Sequence, residues 1–242
     1  MTQNLAAGCL LAVRRSFSKG FTFQGSYTYG KVLTDAEVEQ GTTSYYDANN
    51  RNLDRSLASF DVRHRVAFSG VWELPFLRNC RSIACRTVGG WQLSGYGVLE
   101  SGLPMTVLTS GAYPNGDYNA DGTNADRPNA PADSIARSGF SKSQFLTGIF
   151  SVADFPKPVL GTDGTLGRNT FTGPGFARVD FSLEKNMKFT ERFNAALRIE
   201  SYNAFNRANL NPPATDLTSN NFGKVTSAQA GRLYTASLRL RF

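Results

Sequence analysis

The chain has 242 residues, of which 40% are hydrophobic, 12% aromatic and 19% charged, with a formal net charge of +7. That length suits one large domain or two small ones with a sizeable core, and the aromatic share excludes a disordered tail. No run approaches the roughly 18 apolar residues of a membrane-spanning helix. One histidine and three cysteines leave little for metal or thiol catalysis, and the scattered Lys and Arg argue against nucleic acid as a partner.

Leu5 to Val13 is apolar, but nothing basic precedes it and Arg14 and Arg15 follow, the reverse of a secretory signal. Ala6-Ala7-Gly8-Cys9 has only a faint lipoprotein-site character, so a strand over about Leu5 to Phe17 is the better reading. A targeting signal for an exported chain would then lie upstream. In Phe21 to Tyr29 every odd position is aromatic or Gly and every even one polar. Such period-two alternation predicts a strand with one apolar and one wet face. From Phe60 to Phe76 the alternation repeats over seventeen residues, with Phe60, Val62, Val66, Phe68, Trp72, Leu74 and Phe76 on one parity and Asp61, Arg63, Arg65, Ser69 and Glu73 on the other. Four more segments follow, around Trp91 to Glu100, Arg178 to Glu184, Phe193 to Glu200 and Tyr234 to Phe242. Seven strands are expected, without a convincing helix between them.

The connections alternate too. Ser18-Lys19-Gly20 and Met187 to Glu191 read as tight turns and 77–89 as a medium one, whereas 32–57, 108–173 and 207–228 are long and polar. Short turns at one end and long loops at the other describe an antiparallel transmembrane β-barrel. Apolar-parity aromatics gather beside the short turns (Phe17, Phe21, Phe76, Trp91, Phe193, Phe242), as in the girdle at a membrane interface, while Phe23 and Tyr27 continue the lipid-facing parity. The opposite parity carries Arg63, Arg65, Arg178, Asp180, Glu184, Arg198, Glu200, Arg239 and Arg241. Mixed charges suit an aqueous lumen, and an Arg or Lys facing lipid at mid-depth would cost about 2–4 kcal/mol. A soluble β-sandwich with its polar face in bulk water is the competing reading.

Individual residues carry narrower expectations. His64 has the parity of Val62 and Val66, so it faces outward, away from any acid or nucleophile partner on the wet side; an enzyme is not expected. Lys185 lies on the apolar parity near a turn, where its amine can snorkel to the headgroups. Asp117-Tyr118-Asn119-Ala120-Asp121-Gly122 matches the first half of a calcium loop, with oxygen ligands at alternate positions and a Gly at the sharp turn. Position 12 then falls on Pro128, and Asp126 could substitute only in a different geometry. A calcium site and a solvated turn both stay open. Cys80 and Cys85, five apart, fit a local disulfide or two free thiols.

The last segment, Arg232 to Phe242, resembles the terminal strand of outer-membrane β-barrels, which ends in an aromatic residue read by the barrel-assembly machinery. Leu197-Arg198-Ile199-Glu200-Ser201-Tyr202-Asn203-Ala204-Phe205-Asn206-Arg207-Ala208-Asn209, Phe21 to Lys31 and Asp61 to Gly70 resemble segments of TonB-dependent receptors, particularly the Oar-like group. That resemblance implies a barrel of about 22 strands with a plugged lumen. It also implies an N-terminal plug domain, energy passed through the TonB complex, and import of a bulky extracellular ligand. Neither a plug nor a TonB-contacting segment is legible here. The expectation is therefore that residues 1–242 are the C-terminal portion of such a barrel, facing outer-membrane lipid, with 32–57, 108–173 and 207–228 outside the cell. A passive or structural outer-membrane barrel, such as a porin or adhesion scaffold, and a soluble all-β binding module are the alternatives.

Overall fold

The computed structural model describes residues 5–35, 46, 50–75, 89–109, 116–122, 126–189 and 193–242. The expectations for Phe76, Cys80 and Cys85 lie outside these residues, as do parts of the connections. Seven long strands form: β1 (Leu5–Ser18), β2 (Phe21–Thr34), β4 (His64–Glu73), β5 (Trp91–Glu100), β8 (Phe176–Lys188), β9 (Asn194–Tyr202) and β10 (Leu233–Arg241). Three two-residue strands, β3 (Ser56–Leu57), β6 (Pro104–Met105) and β7 (Phe171–Thr172), lie in the connections. The long strands follow one another in the order β1-β2-β4-β5-β8-β9-β10, each antiparallel to the next, with β3 paired to the end of β2. Among the described residues neither β1 nor β10 pairs with a strand on its outer side.

Registration turns seven separate alternations into two continuous faces. Opposed residues of an antiparallel pair point the same way. The row Leu11, Tyr27, Val66 and Leu99 is paired across β1, β2, β4 and β5, and Leu183, Ile199 and Ala236 continue the same face across β8, β9 and β10. The other face carries Arg65 against Glu100, Ser94 against Ser182, Glu184 against Arg198 and Ser237 against Arg198. On the apolar face Leu11, Trp72, Leu99, Ile199, Leu238 and Leu240 are all exposed. No second layer covers them among the described residues, whereas a soluble sandwich would bury this face against another sheet.

The dimensions fit lipid. Tyr27, Tyr29 and His64 cluster at the long-loop end of the apolar face, with His64 5.2 Å from the Tyr29 ring and its Nδ1 2.9 Å from the Tyr27 hydroxyl. Phe21 opposite Trp72, Trp91 opposite Lys185, and Phe189 against Phe193 mark the short-turn end. From His64 to Trp72 are eight steps of about 3.3 Å, which at a tilt of about 40° span roughly 20 Å of height, close to the apolar band of an outer-membrane barrel. Between the two belts aromatic rings lie over glycines of the neighbouring strand. A Cβ on Gly95 would meet Phe181 at 3.2 Å, one on Gly70 would approach Phe23 at 3.6 Å, and one on Gly97 would run into the Phe68 ring. The rings thus cover backbone that glycine leaves bare.

Several boundaries differ from expectation. The long alternation from Phe60 to Phe76 yields a strand only over His64–Glu73. The Asp61 side chain accepts from Val32 N at 2.7 Å while its own N–H donates to Ala58 O, so the chain turns there. Arg63 consequently sits at the rim, paired with Asp61 at 3.3 Å, and not in the strand. Strand β8 continues to Lys188, so the expected turn at Met187 begins later. A register shift between Arg15 and Ser18 removes Phe17 from simple alternation. Phe193 precedes β9 and Phe242 follows β10, each just outside its strand. The β1–β2 turn holds Lys19 and Gly20 at φ 53° and 80°, positive at both central residues as the tightest hairpin turns require.

The largest departure is in the long connections. Residues 108–173, which read from the sequence as a long polar loop, supply most of a hydrophobic core. Met105, Val107, Phe150, Phe155, Leu166 and Phe171 pack with Phe222 from the β9–β10 connection. Phe150 stands 4.5 Å from Phe171 and 5.3 Å from Phe155, centroid to centroid. A short helix, Lys142–Thr147, starts at Ser141, whose hydroxyl accepts from Gln144 N while the Gln144 side chain accepts from Ser141 N. Together with the β6–β7 pair, these segments make a folded cap at the long-loop end of the sheet. Among the described residues no helix is long and apolar enough to cross a membrane.

Candidate functional site

Two features of the chain bear on function, a polar trough along the sheet and a junction inside the cap. The trough follows from the even–odd split of the strands. Arg14, Gln24, Ser69, Ser94, Tyr96, Asp180, Ser182, Arg198 and Glu200 line a cavity of ≈ 440 Å³ on the wet face. Its charges are mostly paired. Arg65 reaches Glu100 at 3.2 Å, Arg178 Nε reaches both Asp180 oxygens at 2.9 and 3.0 Å, and Arg198 reaches Glu200 at 2.8 Å. Arg198 Nε also donates to Ser182 Oγ at 3.0 Å, and the Asn186 amide donates to Glu184 at 3.0 Å. Asp180 anchors the strand end by accepting from Asn203 N at 2.7 Å. Arg239 and Arg241 line a neighbouring recess of ≈ 220 Å³ with Glu184 and Glu200. Neither enters an ion pair among the described residues. The arrangement is a polar wall of paired, opposite charges along one face of the sheet.

On the opposite face Lys185 is buried against the short-turn end instead of reaching outward. Its amine donates to Gly89 O at 3.2 Å and lies 4.9 Å from the Trp91 ring centroid. A carbonyl and an aromatic face receive its charge there.

Inside the cap, long-range contacts tie the connections together. Arg127 is 3% exposed. It donates to Leu53 O at 3.1 Å and to Asp54 Oδ1 at 3.3 Å, and its guanidinium lies 4.0 Å from the Tyr46 ring. Burial lowers the Arg127 guanidinium from its ordinary value, with the Asp54 carboxylate opposing. The Tyr46 hydroxyl accepts from Gly164 N at 2.6 Å, and burial raises its pKa. Arg168 donates to Thr34 O at 3.1 Å and to Asp54 O at 2.7 Å, and Asn169 to Leu57 O at 2.7 Å. These residues escaped sequence reasoning, since nothing in an isolated Arg within an Asn/Gly/Pro-rich stretch marks its distant partner.

The candidate calcium residues sit beside this junction. The carboxylates of Asp117, Asp121 and Asp126 each place an oxygen within 4.8 Å of the others. Asp117 accepts from Asp121 N and Gly122 N, both at 3.1 Å. Asn119 does not contribute a carboxylate. Its oxygen accepts from Asp121 N at 3.1 Å and its amide donates to Asp163 at 2.9 Å. Asp126, nine residues beyond Asp117, joins the group through its own fold-back, accepting from Tyr118 N at 2.6 Å and Asn119 N at 3.2 Å. Burial pushes the Asp126 carboxyl above its ordinary value; the Asn119 and Tyr118 amides oppose this, and the charges of Asp121 and Asp117 add to it.

The family model described as an outer membrane beta barrel domain matches residues 8–236. No curated protein matches the chain. The match takes in most of β1, the whole of β2, β4, β5, β8 and β9, the start of β10 and the cap between them, and together with the uncovered apolar face it sets aside the soluble-module reading. The chain belongs to the outer membrane β-barrel domain family, and its place is the outer membrane.

Proposed function

We propose that the chain forms part of the barrel of a TonB-dependent receptor of the Oar-like group, which in the intact protein imports a bulky nutrient. The observation that carries this reading is that, among the described residues, the outer edges of β1 and β10 are unpaired on a sheet whose face is made for lipid. Backbone N–H and C=O groups left unpaired in hydrocarbon cost several kcal/mol each, so only closed barrels persist there. Strands β1 and β10 must therefore meet further strands, and the receptor resemblance of Phe21 to Lys31, Asp61 to Gly70 and Leu197 to Asn209 names the kind of barrel that supplies them. Within it, the Arg65, Arg178 and Arg198 ion pairs form part of the wall against a plug domain. The cap joins the extracellular surface that captures the ligand. The reading gives the chain no catalytic role.

The genomic sequence upstream tests it. An in-frame plug-like segment with a TonB-contacting stretch and a signal peptide is the expected result. An unrelated upstream gene, with this chain alone conducting ions across planar bilayers, would make it a passive barrel instead.

A further inference from the structure

We propose that the cap holds a calcium ion between Asp117, Asp121 and Asp126. Two independent observations point to it. Three carboxylates from one short segment bring oxygens within 4.8 Å of each other. Separately, Asp126 is 0% exposed and its Oδ1 has no hydrogen-bond partner, while Oδ2 already accepts from two amides. A buried carboxylate oxygen without a partner is costly, and a cation ligated by it removes that cost. Asp117 and Asp121 then complete a hard, anionic oxygen set.

The donor chemistry selects the ion. Carboxylate oxygens in an irregular loop suit calcium, which accepts six to eight oxygens in flexible geometry, whereas magnesium demands a near-ideal octahedron and holds its water. Gly122, at φ +86°, provides the sharp bend that carries the chain past the ion. Asp126 is adjacent to Arg127, so the ion would brace the same junction that joins the cap to Asp54. The role is structural: calcium would set the cap's shape at the concentrations met outside the cell, in the range of about 10⁻⁴–10⁻³ M typical of extracellular modules. The inference does not depend on what the barrel transports.

The test uses the full protein in detergent micelles, stripped with a chelator and titrated with calcium. Terbium luminescence sensitised by Tyr118 and the rate of cap proteolysis are followed together. Saturable binding at one site, with slower proteolysis, is the expected result. Asp121→Asn, at an exposed position that leaves the buried packing intact, should weaken binding at least tenfold. Asp126→Asn should do the same while keeping an oxygen for the Tyr118 amide. Asp133→Asn, an exposed acid elsewhere in the cap, should change nothing. Absence of saturation up to about 10 mM, well above the weakest extracellular sites, would overturn the proposal. So would wild-type binding by Asp121→Asn, or equal competition by magnesium.

Discussion

Phe68 lies four residues from His64 and four from Trp72, the two aromatic belts of its strand, and so marks the middle of the apolar band. Its ring covers Gly97 on one neighbour and it is opposed to Gly25 on the other. Phe68→Arg places a guanidinium at mid-depth, where the cost is about 2–4 kcal/mol, against about 0–1 kcal/mol near an interface. The same substitution at His64 should therefore cost less than about 1 kcal/mol. Ser69→Arg, one residue away but on the trough face, should be nearly neutral, since its neighbours there are Gln24 and Tyr96. The measurement is the urea midpoint of the protein assembled in outer-membrane vesicles, read as the heat-modifiable band on a gel. A factor of roughly 30 to 800 in the folded-to-unfolded ratio for Phe68→Arg follows from 1.4 kcal/mol per tenfold. If Phe68→Arg and Ser69→Arg shifted the midpoint equally, or His64→Arg were as harmful as Phe68→Arg, the division into a lipid face and a wet face would be wrong.

Three further outcomes follow from the cap. Phe171 is 0% exposed at the centre of the aromatic cluster, so Phe171→Ala should cost about 3–5 kcal/mol and open the cap to protease while the strands still assemble. Arg127→Met leaves the buried Asp54 carboxylate without its cation, a loss of about 3–5 kcal/mol; adding Asp54→Leu should recover most of the lost protease resistance. Gly164→Ala would drive a methyl group into the Arg127 carbonyl, and limited proteolysis should show the same opened cap, with the midpoint of the strands unchanged.

The seven long strands and their two faces are legible in the chain's alternation, though not where each strand ends. Side chains leave a strand alternately whatever it packs against, so Phe21 to Tyr29 and Tyr234 to Phe242 announce two faces before any partner is known. The alternation of short turns with long loops added the direction of each strand. Only pairing could show that seven separate patterns merge into one apolar sheet face, and only a local turn at Asp61 could take Arg63 out of the strand.

Tertiary structure alone decided the cap. Its core joins Phe150 and Phe171 to Phe222 across different connections, and no period links them. Arg127 meets Asp54 across 73 residues and Arg168 reaches Thr34 across 134. Such contacts are chosen by the three-dimensional path of irregular backbone, which no repeat in the chain encodes. Asp126 shows the boundary between the two. Its spacing from Asp117 breaks the familiar calcium-loop pattern, and it reaches that carboxylate group only because the backbone folds back at Tyr118 and Asn119 to meet it.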